Sequence, residues 1–452
     1  MHRKITSLWG EKKVVLGEWP RAVTAFGGLS VFVELLTQIG FREQVRRDLP
    51  VHLPSPNALD PGQTFTALLI SVVAGARRFA HTSRVRADRA LHALLGMQRF
   101  PPDGTIRNLF KRFTQGRVVR RYEPLGAGQR ERLPKRAGGY RLDLDSTVFE
   151  GYGRQEGVKR GCNPRKPGRG SHPPLLAVLG EAYFILHGWL GSGNTAAGRG
   201  VVEFLKEALA KRESREWIRG VRADSGFFAQ ELLQYLESLG LRYIVVARMT
   251  SWLKREAGRV PAGRALDTSY AGGAFPWQRF GWDQERRFVV GREQLQETKR
   301  SPGRKLWEVP GYPFRVFVTN LPDPPEAIWR DDNPRACVEQ RIEALKSDLG
   351  ADDFCLREFF ATEAMFLSML LRCNRRGEFQ RARGLPGYRQ PASLRVPVLL
   401  CGAILGRAGH PTVLHLSAAW GGLAQRNALF AKLLLYEIPT SRKLEFQPQG
   451  AG

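Results

Sequence analysis

The sequence predicts an α/β protein: a mixed sheet with flanking helices, preceded by an all-α N-terminal region. Three observations predict it. Apolar residues recur at helical spacing from about residue 65 to 113. Tyr140–Asp145 then alternates strictly, with Leu142 and Leu144 on one face and Asp143 and Asp145 on the other, as a strand requires. Beyond it, strands alternate with helices, which indicates a mixed sheet.

In chain order, Phe65, Leu68, Leu69 and Val72 form one helical stripe and Leu91, Leu94 and Leu95 another. Ile106, Leu109, Phe110 and Phe113 form a third, whose polar side carries Arg107 and Lys111 one turn apart. Gly116–Gly139, rich in Arg, Gly and Pro, reads as a linker. Strands are expected at Tyr140–Asp145, Leu175–Leu179 and Ala182–Leu186, a helix over about 196–211, a strand at Ile218–Ala223, a helix at Phe227–Leu239 and a strand at Tyr243–Ala247. Residues 250–320, with scattered Trp, Gly and Pro and short runs such as Arg287–Val290 and Phe314–Thr319, read as a sheet insertion whose aromatics belong to the core. A polar helix from about Pro334 to Leu349 and an apolar one from Phe354 to Cys373 follow.

The 452 residues carry 70 Lys+Arg against 43 Asp+Glu, a net charge of +27, which biases the partner toward a polyanion. Arg predominates, and its planar fork suits phosphate. With 42% hydrophobic residues the chain can bury a large core. Five cysteines without a CxxC pair argue against structural zinc and a disulfide framework. The N-terminus lacks the apolar core of a signal peptide, and Phe65–Ala76 is too short to span a bilayer, so no membrane partner and a cytoplasmic, nucleoid-associated location are expected.

The acidic residues suggest the chemistry. Asp145 ends a strand beside Asp143 on the same face. Asp224 ends another strand in RADSGFF, where it reads equally as a helix N-cap or a ligand. Glu339 and Glu343 share one helix face, a turn apart. Three carboxylates in a strongly basic protein can hold two hard divalent cations such as Mg2+. The loop after Asp145 adds Lys159, Arg160, Arg165, Lys166 and Arg169 as candidate phosphate clamps.

Three stretches carry a family resemblance: DLDSTVFEGYGRQEGVKRGCNPRKPGRGSHPPLL from Asp143, VRADSGFFAQELL from Val221 and RACVEQRIEALKSDLG from Arg335. The chain resembles the DDE transposases of bacterial insertion sequences, specifically the thirteen-eighty branch related to the insertion-sequence-four superfamily. The resemblance implies a ribonuclease-H-like catalytic domain with a β-rich insertion, preceded by the all-α N-terminal domain. It also implies a catalytic and metal-binding triad of Asp145, Asp224 and Glu339, served by two Mg2+ ions for which Mn2+ can substitute. The substrates would be double-stranded DNA, terminal inverted repeats and target, held by a homodimer. Expected domains are 1–125 (helical, DNA-binding), 126–249 and 323–385 (catalytic), 250–322 (insertion) and 386–452 (C-terminal region). Arg335, Glu339 and Lys346 match the superfamily signature around the last acid, and its Tyr position falls on Asp332. Relatives usually carry Arg after Leu190, where this chain has Gly191. These departures make a catalytically inactive or domesticated DNA-binding relative the alternative.

Overall fold

The computed structural model describes residues 3–6, 13–49, 51, 53–151, 153, 155–160, 168–193, 198, 200–211, 217–260, 265–267, 270–293, 314–332, 336–354, 356–382, 395–410, 412–417 and 431–432. Strands β1 (Arg3–Thr6) and β2 (Lys13–Leu16) form an antiparallel hairpin, followed by the short β3 (Val23–Thr24). Helices α1 (Leu29–Gln38), α2 (Phe41–Asp48), α3 (Pro61–Val73), α4 (Thr82–Arg86), α5 (Arg89–Leu94) and α6 (Asp103–Phe110) follow. The Asp60 carboxylate accepts from Gln63 N and Pro61 opens α3, a paired start signal.

The N-terminal region is therefore not purely helical. Thr24 pairs with Ala403 and Val23 with Ile404 of β16 (Ala403–Arg407), which pairs in turn with β17 (Thr412–Leu416). Two residues are too few to show a period, and their partner lies far along the chain. The expected linker differs as well: Gln115–Arg130 is a helix, α7, with Pro124 inside it. Val118, Tyr122 and Leu125 form its buried stripe, which the surrounding Gly and Arg obscure. Tertiary partners hold it, since the Tyr122 hydroxyl lies 2.7 Å from Ser368 Oγ and Gln129 Nε2 donates to Leu371 O.

The centre of the molecule is a nine-stranded mixed sheet. Its strands are β4 (Tyr140–Ser146), β8 (Pro174–Leu179), β9 (Phe184–Leu190), β10 (Ile218–Ala223), β11 (Arg242–Val246), β12 (Ala265–Asp267), β13 (Tyr270–Trp277), β14 (Arg286–Glu293) and β15 (Phe314–Thr319), in the order β12-β13-β14-β15-β11-β10-β4-β8-β9. Only β4, β10 and β11 run parallel to one another; the other pairings are antiparallel. The strands of the expected insertion thus extend the central sheet through β15, which pairs with β11. The aromatics there join the core only in part: Phe288 is buried against the half-buried Phe275 and Trp277, Trp252 and Phe280 are exposed, and Trp307 lies outside the described residues. A smaller sheet, β5 (Phe149–Glu150), β7 (Gly170–His172) and β6 (Lys159–Arg160), follows β4.

Helices cover both faces. Leu142 and Leu144 of β4 pack with α8 (Val201–Leu209) and α9 (Gln230–Ser238); α10 (Ser251–Arg259) adds Leu253 and Ala257 to that core. Leu176 and Val178, opposite Asp145 and Asp143 in β8, pack on the other side. There they meet α12 (Ala336–Glu343), the π-helical turn Ala344–Asp348, the long α13 (Phe359–Ala382) and the N-terminal helices, in one continuous core. Helix α11 (Pro325–Asp332) joins β15 to this layer. No helix among the described residues is long and apolar enough to cross a membrane. Cys373 and Cys401 are buried and free, as small apolar residues.

Candidate active site at the ends of two parallel strands

The pairing of β4 with β10 brings two predicted residues together. Arg222 is level with Asp143 and Ala223 with Leu144, so the next residue on each strand is Asp224 and Asp145. Both acids thus stand at the same end of adjacent strands: Asp224 follows the last residue of β10, and Asp145 is the last but one of β4, still paired with Leu176. Asp145 is buried, and its Oδ1 accepts from Ser146 N at 2.7 Å. Asp224 is half-buried and caps the short turn Ser225–Phe227 through Gly226 N at 2.8 Å. The cap reading of Asp224 is therefore correct. It occupies one carboxylate oxygen and leaves the strand-end position unchanged.

Asp143 has a different environment. It is fully buried, and Arg222 grips both its oxygens, Nε to Oδ1 at 2.6 Å and Nη2 to Oδ2 at 2.8 Å. Burial opposes the charge of Arg222, but the hydrogen bond and charge of Asp143, with Asp331 and Asp332 nearby, outweigh it and raise the guanidinium pKa. A Cβ on Gly180 would lie 2.6 Å from Asp143 Oδ2, so glycine there admits the pair. Arg222 Nη1 also donates to Asp331 O, and the Asp331 carboxylate holds Arg141 at 2.7 Å. This network ties α11 to the sheet beneath the strand ends. Sequence reasoning missed Arg222; the available signal was RxD ending one strand and DxD ending its neighbour, in register once paired.

Glu339 and Glu343 lie on α12 over the same face of the sheet, and both are exposed. Asp145, Asp224 and Glu339 are not gathered as a trio: no group of three or more His, Cys, Asp or Glu among the described residues is close enough to hold a metal ion. Lys346, in the π-helical turn after α12, places its ammonium 5.8 Å from the Phe149 ring, beside the chain leaving β4. Lys159 and Arg160 are exposed on β6, and Arg169 lies 4.0 Å from Glu150. Arg335, Arg165 and Lys166 fall outside the described residues. On α6, Arg107 pairs with Asp103 at 3.5 Å and covers the Phe79 ring at 4.4 Å, while Lys111 is exposed.

The two sequence departures have structural correlates. Asp332 is buried and pairs with Arg315 Nη2 of β15 at 2.7 Å. A Cβ on Gly191 would lie 2.4 Å from Pro173 O, so any side chain there would require the backbone to shift.

Paired strand-end acids followed by a basic small sheet accord with the family whose model, described as transposase DDE domain group 1, matches residues 6–435. The chain belongs to this DDE transposase domain family. No curated protein matches its sequence. Among solved structures it is similar to a piggyBac transposase synaptic complex with hairpin DNA, at 11% identity over 84% of this chain and 81% of that chain, with a TM-score of 0.40. In this DDE family member the donor chemistry at the strand ends fits a divalent ion: two carboxylates on adjacent strands, with the neighbouring Asp143 held by Arg222.

Proposed function

We propose that the chain is a DNA transposase of the thirteen-eighty branch, which cleaves the ends of an insertion sequence and joins them to target DNA by two-metal phosphoryl transfer. The observation that carries the reading is the adjacency of Asp145 and Asp224 at the ends of paired parallel strands in a member of the DDE family. The order β9-β8-β4-β10-β11, an antiparallel meander joined to parallel strands, supports a ribonuclease-H-like catalytic core. In this reading residues 1–125 form a helical DNA-binding domain, 126–249 and 323–385 the catalytic domain, 250–322 the insertion and 386–452 the C-terminal region.

Asp145 and Asp224 hold Mg2+ or Mn2+, with Glu339 supplied by α12. When bound, the ions supply positive charge to the attacked phosphate and favour ionisation of the attacking hydroxyl. Hydrolysis at the element's end leaves a 3′-hydroxyl, which then attacks a target phosphodiester in line. Lys346, beside the chain leaving β4, and Lys159, Arg160 and Arg169 at the small sheet hold the backbone phosphates, together with Arg335, Arg165 and Lys166. Arg107 and Lys111 of α6 add contacts from the N-terminal helices, and the protein acts on terminal inverted repeats as a homodimer in a bacterial cytoplasm.

The test is strand cleavage of a duplex carrying an element end, in Mg2+ or Mn2+. Asp145→Asn and Asp224→Asn should each lose about a hundredfold or more, since loss even of a residue that merely supports a metal ligand costs 10–100-fold. Binding of the end should persist and weaken steeply with salt, by about −0.9 in log–log slope per neutralised phosphate. Cleavage that survives either substitution removes that residue from the site. The second reading, an inactive DNA-binding relative, draws on Asp332, on the exposed Glu339 and on the absence of a three-residue metal group among the described residues. Salt-sensitive binding without cleavage by the wild type would establish it.

A further inference from the structure

The middle of α13 buries three arginines, Arg372, Arg375 and Arg376. Arg375 is satisfied: its guanidinium reaches Glu378 Oε2 at 2.9 Å and Gln44 Oε1 at 2.7 Å. Arg372 is not. It is 5% exposed, and its Nε and Nη1 are buried without a hydrogen-bond partner among the described residues.

The surroundings compound the anomaly. Arg376 stands one turn along the same helix, and Arg395, from the π-helical turn Arg395–Leu399, is a second like charge acting on Arg372. Among the described residues Arg395 Nε meets Val73 O, at 3.4 Å, where α3 ends, and its Nη2 is buried without an acceptor. Its guanidinium packs against Gly75, whose Cβ would lie 3.2 Å from it. Arg341, 1% exposed, acts on the adjacent Cys373. Among the described residues the carboxylate acting on Arg372 is Asp348. Burial and these like charges lower the Arg372 pKa to about 9, which still leaves it cationic at neutral pH. A buried guanidinium with open donors and cationic neighbours calls for an anion, because uncompensated charge is costly out of water.

We propose that Arg372, Arg376 and Arg395 form a seat for a phosphate-type oxyanion at the junction of α3, α13 and the two π-helical turns. A tetrahedral oxyanion presents several acceptors to converging guanidinium forks, which chloride cannot. Asp348 and Arg395 are half-buried, so the cluster reaches solvent on that side. The phosphate comes either from solution or from the DNA backbone. The seat is separate from the strand-end acids and does not depend on the transposase reading.

Thermal unfolding of the full chain, in inorganic phosphate and in sodium chloride at equal ionic strength and pH, tests it alongside calorimetric phosphate titration. The wild type should bind phosphate saturably at one site, and its Tm should rise by a few degrees, as for any ligand of the folded state. Arg372→Gln should abolish that rise, and its Tm without phosphate should equal or exceed the wild-type value because an uncompensated charge is gone. Arg395→Gln, at a half-buried position, should weaken binding at least tenfold and serves if Arg372→Gln fails to fold. Arg219→Gln, an exposed arginine of β10, should keep the full response. A short duplex that displaces phosphate assigns the seat to the DNA backbone; simultaneous binding assigns it to a free ion. A wild type with no response beyond that of chloride, or an Arg372→Gln or Arg395→Gln variant that keeps the full response, overturns the proposal.

Discussion

Asp143 and Arg222 stand opposite each other on neighbouring parallel strands, locked by two hydrogen bonds of 2.6 and 2.8 Å with almost no solvent exposure. Asp145, two residues on, shares that face of β4 but lies at the strand end. Asp143→Asn should therefore act on stability, costing about 3–5 kcal/mol because the buried Arg222 loses its directly paired carboxylate. Asp145→Asn should move the denaturant midpoint much less and act on cleavage. Comparable midpoint shifts for the two would contradict this division of roles.

The helix α12 offers two acids a turn apart, both exposed. Glu339→Gln and Glu343→Gln should each change stability by no more than about 0.5 kcal/mol, as exposed substitutions do. Single-turnover cleavage should nevertheless separate them, with Glu339→Gln the more damaging. A larger loss in Glu343→Gln would move the third acid one turn along the helix.

Asp332 stands where the resemblance leads one to expect a tyrosine, and its buried carboxylate holds Arg315 at 2.7 Å. Asp332→Tyr should destabilise the fold by about 1–3 kcal/mol through overpacking alone, with the loss of the ion pair added. It should bring no gain in affinity for an element end. Tighter end binding at unchanged Tm would show instead that the site had merely lost a DNA contact.

Glu363 faces a cleft of about 590 Å³ between α7, β9 and α13, which Glu207, His187, Lys211 and Glu123 also line. Burial, with the Glu207 charge adding to it, pushes its carboxyl up to about 7. The folded state therefore holds this proton more tightly than the unfolded chain. Its contribution is fully present below about pH 4.5 and is lost as pH rises through about 7. Glu363→Gln removes the titration, so the variant should gain stability relative to wild type over that interval, by up to about 3 kcal/mol. Unfolding midpoints across the interval measure this, and a constant difference would refute it.

What the sequence determined by itself is what neighbouring residues encode. The period-two alternation of Tyr140–Asp145 specified a strand with leucines on one face and aspartates on the other, and β4 has that form. The stripe Ile106, Leu109, Phe110 specified α6, and the three quoted stretches pointed to the DDE family. The tertiary structure alone decided which strand pairs with which. Such pairing depends on residues far apart in the chain and leaves no local period. The register of β10 on β4 sets Asp224 beside Asp145 and gives Asp143 to Arg222. The joining of β15 to β11 makes the strands of the expected insertion an extension of the central sheet. The packing of α7 on α13 makes a helix of a segment whose glycines, arginines and proline read as a linker. In each case burial against a distant partner outweighed local propensity.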